Sequence, residues 1–171
     1  MNGWPRLALF LPTLLCLSCT GVAGTAMNEA DTVQSNAAGL ALAGRVTDAA
    51  NVLTPAQRAA LDQALAALER RTGAQMVVVT VASLEGNDIT AYARDLGNRW
   101  GIGHRDRDDG VVIVAAPHER QVRIAVGLGL EQTLSDALCQ KIINDKMIPA
   151  FRQGRLFEGL SKGVDALGAA L

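Results

Sequence analysis

The sequence has 171 residues, of which 49% are hydrophobic and 19% are charged, and its formal net charge is −1. This composition predicts a globular chain with one hydrophobic core and argues against intrinsic disorder. The low net charge, together with the lack of a basic stripe, argues against nucleic-acid binding through phosphate neutralisation.

The first 26 residues are typical of a bacterial secretory signal. Arg6 precedes an apolar run over residues 7–17, and small residues follow. The run is too short for a comfortable membrane span. We therefore expect export of the chain to the periplasm and cleavage after one of three small residues, Ala23, Gly24 or Ala26.

Lipidation at Cys19 is a second interpretation of this segment, and it would anchor the exported chain to a membrane. The residue three positions earlier is Cys16, where lipoprotein signals usually have an aliphatic side chain. Either form of processing leaves Cys139 without a disulfide partner. Its apolar helical context predicts a small buried hydrophobic residue and not a nucleophile.

Small and polar residues over 27–43 predict a linker, and the folded domain is expected to span residues 44–171. Thr54, Pro55 and Gln57 predict the start of a helix with a capping box. Gly73 predicts its end. The inner face of this helix is expected to consist of Leu61, Ala64, Leu65 and Leu68.

The rest of the chain alternates between strand and helix signals. QMVVVTVA and VVIVAA predict buried strands, and QVRIAV follows the turn PHER as a third strand. A second helix, capped by Asn87 or Asp88, is expected to end at Trp100. Ser135 predicts a third helix, which Pro149 interrupts, and residues 156–170 predict the last one. This order predicts an α/β fold, a three-layer α/β/α sandwich with a small mixed sheet.

Carboxylates are concentrated in two loops of this predicted fold. The loop before the second strand carries Asp106, Asp108 and Asp109, and the loop after the third strand leads to Glu131 and Asp136. Because these strands are expected to be antiparallel, both loops should lie at the same edge of the sheet. A hard cation would relieve the repulsion between converging carboxylates. We therefore predict a divalent-cation site at Asp108, Asp109, Glu131 and Asp136, which prefers Ca²⁺ to Mg²⁺ and binds zinc poorly.

A merely solvated, charged loop is the alternative that the sequence leaves open. Asp109 and Gly110 could form a turn, and Arg105 and Arg107 could neutralise the aspartates. Asp136 would favour the dipole at the start of a helix without binding any ligand.

Two familiar motifs are excluded. An EF-hand that starts at Asp106 would need an acidic residue where Pro117 stands. The segment GLGL has Gln132 in place of the third glycine of a dinucleotide-binding loop. No Ser/His/Asp or Cys/His arrangement is visible, so we assign no catalytic residue.

Three segments in combination resemble the TPM domain family: WGIG, then R-D-x-G before an apolar strand, then G-x-G-L-E. The resemblance spans residues 44–168 and implies a small α/β/α fold with an acidic patch. Asp108, Glu131 and Asp136 match carboxylates of the family, and Asp48 matches the aspartate of its V-T-D segment. The chain departs from the family at two positions beside this patch, Ala125, where glutamate is frequent, and Leu128, where an aromatic residue is common.

The resemblance also implies a function. The family includes thylakoid-lumen proteins tied to photosystem II repair and many exported bacterial proteins, and calcium binding is reported for its members. We therefore expect an exported, cation-binding accessory or interaction module, whose partner is an envelope or membrane protein. The alternative, which the family's name invokes, is a metal-dependent acid phosphatase that acts on phosphomonoesters, with Arg105, Arg107 or Arg123 stabilising the phosphate.

Overall fold

The computed structural model describes residues 39–171, so the predictions for the signal peptide, for Cys19 and for most of the linker lie outside the described residues. In the described region, four strands form one sheet in the order β1-β2-β3-β4. The first three are parallel, and β4 is antiparallel to β3, which confirms the predicted mixed sheet. The strands are Val46–Asp48 (β1), Gln75–Thr80 (β2), Gly110–Ala116 (β3) and Gln121–Val126 (β4).

Helices cover both faces of the sheet, which confirms the three-layer α/β/α architecture. The second helix packs on one face against alternate residues of β2 and β3, and the other helices share a larger core on the opposite face. No helix within residues 39–171 has the length and apolarity needed to cross a membrane. The helices are Pro55–Thr72 (α1), Ile89–Trp100 (α2), Asp136–Ile142 (α3), Ile148–Phe151 (α4) and Leu156–Ala170 (α5).

The helix ends follow the predicted capping residues. The Thr54 hydroxyl accepts a hydrogen bond from the backbone N–H of Gln57 at 3.2 Å, and the Gln57 side chain accepts one from the backbone N–H of Thr54 at 2.9 Å. Gly73 ends α1 with a φ of 78°, a left-handed conformation that favours glycine. Asp88, and not Asn87, caps α2.

The strand β1 is absent from the sequence prediction. It has three residues, which is too short for a periodic pattern. The Asp48 side chain at its end is fully buried. It accepts hydrogen bonds from the backbone N–H groups of Val52 and Leu53 and from the hydroxyl of Thr80. Asp48 therefore fixes the chain between β1 and α1 to the neighbouring strand.

The interruption predicted at Pro149 takes the form of a change in helix type. The π-helical segment Ile143–Met147 links α3 to α4. Pro149 lies in the first turn of α4. A proline at this position removes one backbone hydrogen bond to the preceding turn, and the wider π-helical turn directly before it accommodates this loss. The chain thus stays helical from the start of α3 to the end of α4.

Cys139 is buried in α3, as predicted, with 1% of its surface exposed. Burial raises the pKa of its thiol, which lowers the fraction of reactive thiolate at neutral pH. We expect a thiol reagent to label native Cys139 on the order of a hundredfold more slowly than the unfolded chain, because labelling requires an opening of the fold. Equal labelling rates with and without denaturant would contradict this burial.

Candidate functional site

The loop before β3 and the loop after β4 lie side by side, as the antiparallel pairing predicts. The backbone N–H of Gly127 donates a hydrogen bond to the carbonyl oxygen of Gly110 at 2.8 Å. The N–H of Gly129 donates one to the carbonyl oxygen of Asp108 at 3.2 Å. These bonds extend the β3–β4 ladder into the two loops and fix one loop against the other.

The glycines of the GLGL segment are required by this close backbone approach. A Cβ atom on Gly127 would lie 2.1 Å from the carbonyl oxygen of Asp108, and one on Gly129 would lie 1.7 Å from that of Arg107. Asp108 itself has a φ of 47°, a left-handed conformation that aspartate adopts more readily than most residues. The segment therefore has a structural role that explains its glycines without a nucleotide.

A cleft of about 690 Å³ lies between α2, β4 and these two loops. Three of the four predicted site residues line it: Asp108 from the loop before β3, Glu131 from the loop after β4, and Asp136 from the first turn of α3. All three are exposed. The sheet edge and its loops thus bring carboxylates from three chain segments to one concave surface.

Asp109 does not line this cleft, and only 7% of its surface is exposed. One carboxylate oxygen accepts a hydrogen bond from the backbone N–H of His104 at 2.8 Å and lies 2.9 Å from the Nδ1 atom of that residue. The other lies 2.9 Å from Nε of Arg107. Burial alone would raise the pKa of Asp109, but the hydrogen bonds from His104 and the charge of Arg107 lower it overall. Asp109 therefore holds the loop together, and we leave it out of the ligand set proposed below.

The lowered pKa of Asp109 predicts a pH-dependent contribution to stability. The folded state favours the carboxylate, so its contribution is present above the pKa of the unfolded chain and is lost as the pH falls through the lower folded value. We expect Asp109→Asn to lower the free energy of unfolding by about 1–3 kcal/mol at pH 7. Urea denaturation of both proteins should show this difference shrinking below about pH 4.

The exposed Asp106, which belongs to the same loop, provides the matched control. Asp106→Asn should change the free energy of unfolding by less than about 0.5 kcal/mol. A difference between wild type and Asp109→Asn that stays constant from pH 3 to pH 7 would contradict a role for the charge of Asp109.

Two arginines also line the cleft, Arg123 from β4 and Arg94 from α2. The Nη2 atom of Arg123 donates a hydrogen bond to Oδ1 of Asp136 at 2.8 Å. Its Nε atom is buried and has no hydrogen-bond partner within residues 39–171. Arg123 was expected from the sequence as a phosphate-stabilising residue, whereas Arg94 was not predicted as a site residue. The available signal was the polar series Thr90, Arg94 and Asn98, whose spacing of four places them on one helix face.

The donor atoms of the cleft are not assembled into a closed metal site. Within the described part of the chain, no three histidine, cysteine, aspartate or glutamate side chains are arranged so that they could hold a metal ion. Leu128, at the edge of the cleft, is 73% exposed. The cleft therefore combines carboxylates, arginines and an exposed apolar side chain on one surface.

The chain matches one family model, which is described as TPM domain, over residues 46–170. It also resembles the solution NMR structure of the N-terminal domain of a protein from P. gingivalis, with a TM-score of 0.70 and 36% identity. This similarity covers 80% of the present chain and 88% of the other.

Two further solved structures share the fold at lower identity. The N-terminal domain of the cg2496 protein from Corynebacterium glutamicum has a TM-score of 0.61 at 18% identity, covering 75% of this chain and 80% of that one. The BA42 protein from Bizionia argentinensis has a TM-score of 0.63 at 24% identity, covering 70% and 81%. A comparison with curated proteins found no match.

Proposed function

We propose that this chain, which belongs to the TPM domain family, is an exported module that binds a divalent cation in the cleft between α2 and β4. The proposal rests on one observation: Asp108, Glu131 and Asp136 come from three separate segments and line one cleft. The proposed ion is Ca²⁺, with Mg²⁺ as the weaker competitor.

The chemistry of the donor set supports calcium over other metals. The three side chains offer only oxygen atoms, whereas zinc prefers nitrogen and sulfur ligands. They are exposed and do not enclose an ion in the described structure. Ca²⁺ accepts six to eight oxygen ligands in irregular geometry, including water, while Mg²⁺ demands a tight octahedron. Side-chain rotation and bound water would therefore complete a calcium site more readily than a magnesium site.

The ion pair between Arg123 and Asp136 is a weak obstacle to cation binding. The Arg123 side chain is 21% exposed and that of Asp136 is 83% exposed. Ion pairs of this kind typically stabilise a protein by about 0–1 kcal/mol. Asp136 can therefore turn from Arg123 to a cation at a small cost in free energy.

The biological role that we propose is an accessory or interaction module for an envelope or membrane protein. The pattern of residues 1–26, which is typical of a secretory signal, supports export of the chain. The exported protein would be free in the periplasm or, if Cys19 is lipidated, anchored to a membrane. A partner that contacts the cleft would cover Leu128, which is 73% exposed.

Titration calorimetry with Ca²⁺ tests the site directly. We expect Asp108→Asn to weaken calcium binding at least about tenfold, because a ligand charge is lost while asparagine tolerates the left-handed backbone. Asp106→Asn, in the same loop but outside the cleft lining, should bind as the wild type does. A wild type that does not bind Ca²⁺, or equal losses in the two variants, would contradict the proposal.

A metal-dependent phosphatase is the second candidate, because Arg94 and Arg123 line the same cleft as the carboxylates. Phosphoryl transfer needs a metal-held water and cationic groups around the phosphate. Hydrolysis of p-nitrophenyl phosphate, compared with Ca²⁺ and Mg²⁺, separates the two candidates. A binding module should give no metal-dependent turnover. Turnover that Asp108→Asn abolishes would favour the phosphatase.

A further inference from the structure

Arg123 lines the cleft and has one side-chain donor that is hydrogen-bonded and a neighbouring one that is not. In a guanidinium group, Nε–H and one N–H of Nη2 point in the same direction and form a fork that matches the two oxygens of a carboxylate or phosphate. Asp136 accepts from Nη2 only, at 2.8 Å. The Nε atom beside it is buried and has no partner within residues 39–171. A buried N–H group without an acceptor has an unfavourable free energy, so the binding of a ligand that accepts its hydrogen bond is favoured.

The surroundings of Arg123 favour an oxyanion as that ligand. Arg94 provides a second positive charge from α2. Ala125 lies two residues from Arg123 on the same face of β4, and its small side chain leaves room in the cleft. The carboxylates of Asp108 and Glu131 line the same cleft and would repel an anion unless a cation neutralises them.

We propose that Arg123 and Arg94 form an oxyanion subsite, and that a cation bound at Asp136 strengthens this subsite by freeing Arg123. The cation part rests on the proposed function, whereas the subsite itself does not. When Asp136 turns to the cation, both donors of the Arg123 fork become available to one ligand. The bound cation also neutralises the neighbouring carboxylates. Cation and oxyanion therefore bind with positive, reciprocal coupling.

Two small anions test the subsite, sulfate for a phosphate group and acetate for a carboxylate. Sulfate replaces phosphate because calcium phosphate is poorly soluble. The readout is the ¹H–¹⁵N signal of the Arg123 Nε–H group, assigned by its absence from Arg123→Lys. We expect at least one anion to shift this signal in saturable fashion, with an affinity that rises at least about threefold when Ca²⁺ is present.

Asp136→Asn separates the subsite from cation binding. The substitution weakens the hydrogen bond between Arg123 and residue 136. In the absence of Ca²⁺, the variant should therefore bind the anion at least about threefold more tightly than the wild type does. Asp108→Asn removes the same charge from the cleft but not the partner of Arg123, and its gain should be smaller. Arg94→Gln keeps the Arg123 signal as the readout and should weaken anion binding at least about threefold, because the second positive charge of the subsite is lost. The exposed Arg152, changed to glutamine, is the matched control and should have no effect.

The outcomes distinguish the two proposals. A response to sulfate alone identifies a phosphate-bearing ligand, and a response to acetate alone identifies a carboxylate; both support the subsite. An Arg123 signal that neither anion moves, in the wild type with Ca²⁺ and in Asp136→Asn, overturns the subsite. A wild type that does not bind Ca²⁺ overturns the proposed function and the coupling, while anion binding by Asp136→Asn would still support the subsite.

Discussion

Gly129→Ala is expected to lower the free energy of unfolding by about 3 kcal/mol and to weaken calcium binding at the same time. The added Cβ would lie 1.7 Å from the carbonyl oxygen of Arg107 and 3.3 Å from that of Asp108. Both atoms belong to the backbone, so no side-chain rotation relieves the clash. The two loops must separate, which breaks the hydrogen bond from the Gly129 N–H to Asp108.

Urea denaturation and calcium titration measure the two effects in one variant. Gly39→Ala is the control, because an added Cβ there has no atom within 4 Å. It should change the free energy of unfolding by less than about 0.5 kcal/mol. Equal, small effects of the two substitutions would mean that the paired loops do not set the geometry of the cleft.

Asp48→Ala should also lower the free energy of unfolding by about 3 kcal/mol, but it should leave calcium binding unchanged. The substitution removes the acceptor for two backbone N–H groups and for the Thr80 hydroxyl, all near a fully buried side chain. Asp48 pairs with Thr80 at the carboxyl end of the parallel strands. The cleft lies at the other end of the strands, where β3 begins.

Asp145→Ala serves as the control, since Asp145 is half exposed and forms a surface ion pair with Lys141, at 3.8 Å. Such a pair contributes less than about 1 kcal/mol. If Asp48→Ala kept its stability and lost calcium binding, Asp48 would belong to the functional site and not to the fold.

Much of the fold was predictable because its elements have strong local signals. The capping box of Thr54 and Gln57 and the terminal Gly73 define α1 through interactions within a few residues. The buried runs of β2 and β3 are long enough to read as strands. By contrast, β1 depends on pairing with β2, more than 30 residues away, and on the buried contacts of Asp48. Such nonlocal interactions leave no periodic pattern in a three-residue strand.

The candidate site was predictable in location and only partly in composition. The antiparallel pairing of β3 and β4 places both acidic loops at the same end of these strands, and this placement does not depend on the orientation of the side chains. The orientation of adjacent residues depends on backbone detail: Asp108 is left-handed and exposed, while Asp109 is buried against His104 and Arg107. Arg94 lines the cleft because α2 packs against β3 and β4. The spacing of Thr90, Arg94 and Asn98 places Arg94 on one face of its helix, but the part of the sheet that this face meets depends on nonlocal packing.

A thermal melt with and without millimolar Ca²⁺ tests the central claim, that Asp108, Glu131 and Asp136 form a cation site. At a hundredfold excess over the Kd, binding should stabilise the wild type by about 2.7 kcal/mol. For a domain of this size, the Tm should rise by about 8 °C. Asp108→Asn should lose most of this rise, and Asp106→Asn should keep it. A wild-type Tm that does not move with Ca²⁺, or an Asp108→Asn variant that rises as far as the wild type, would contradict the account.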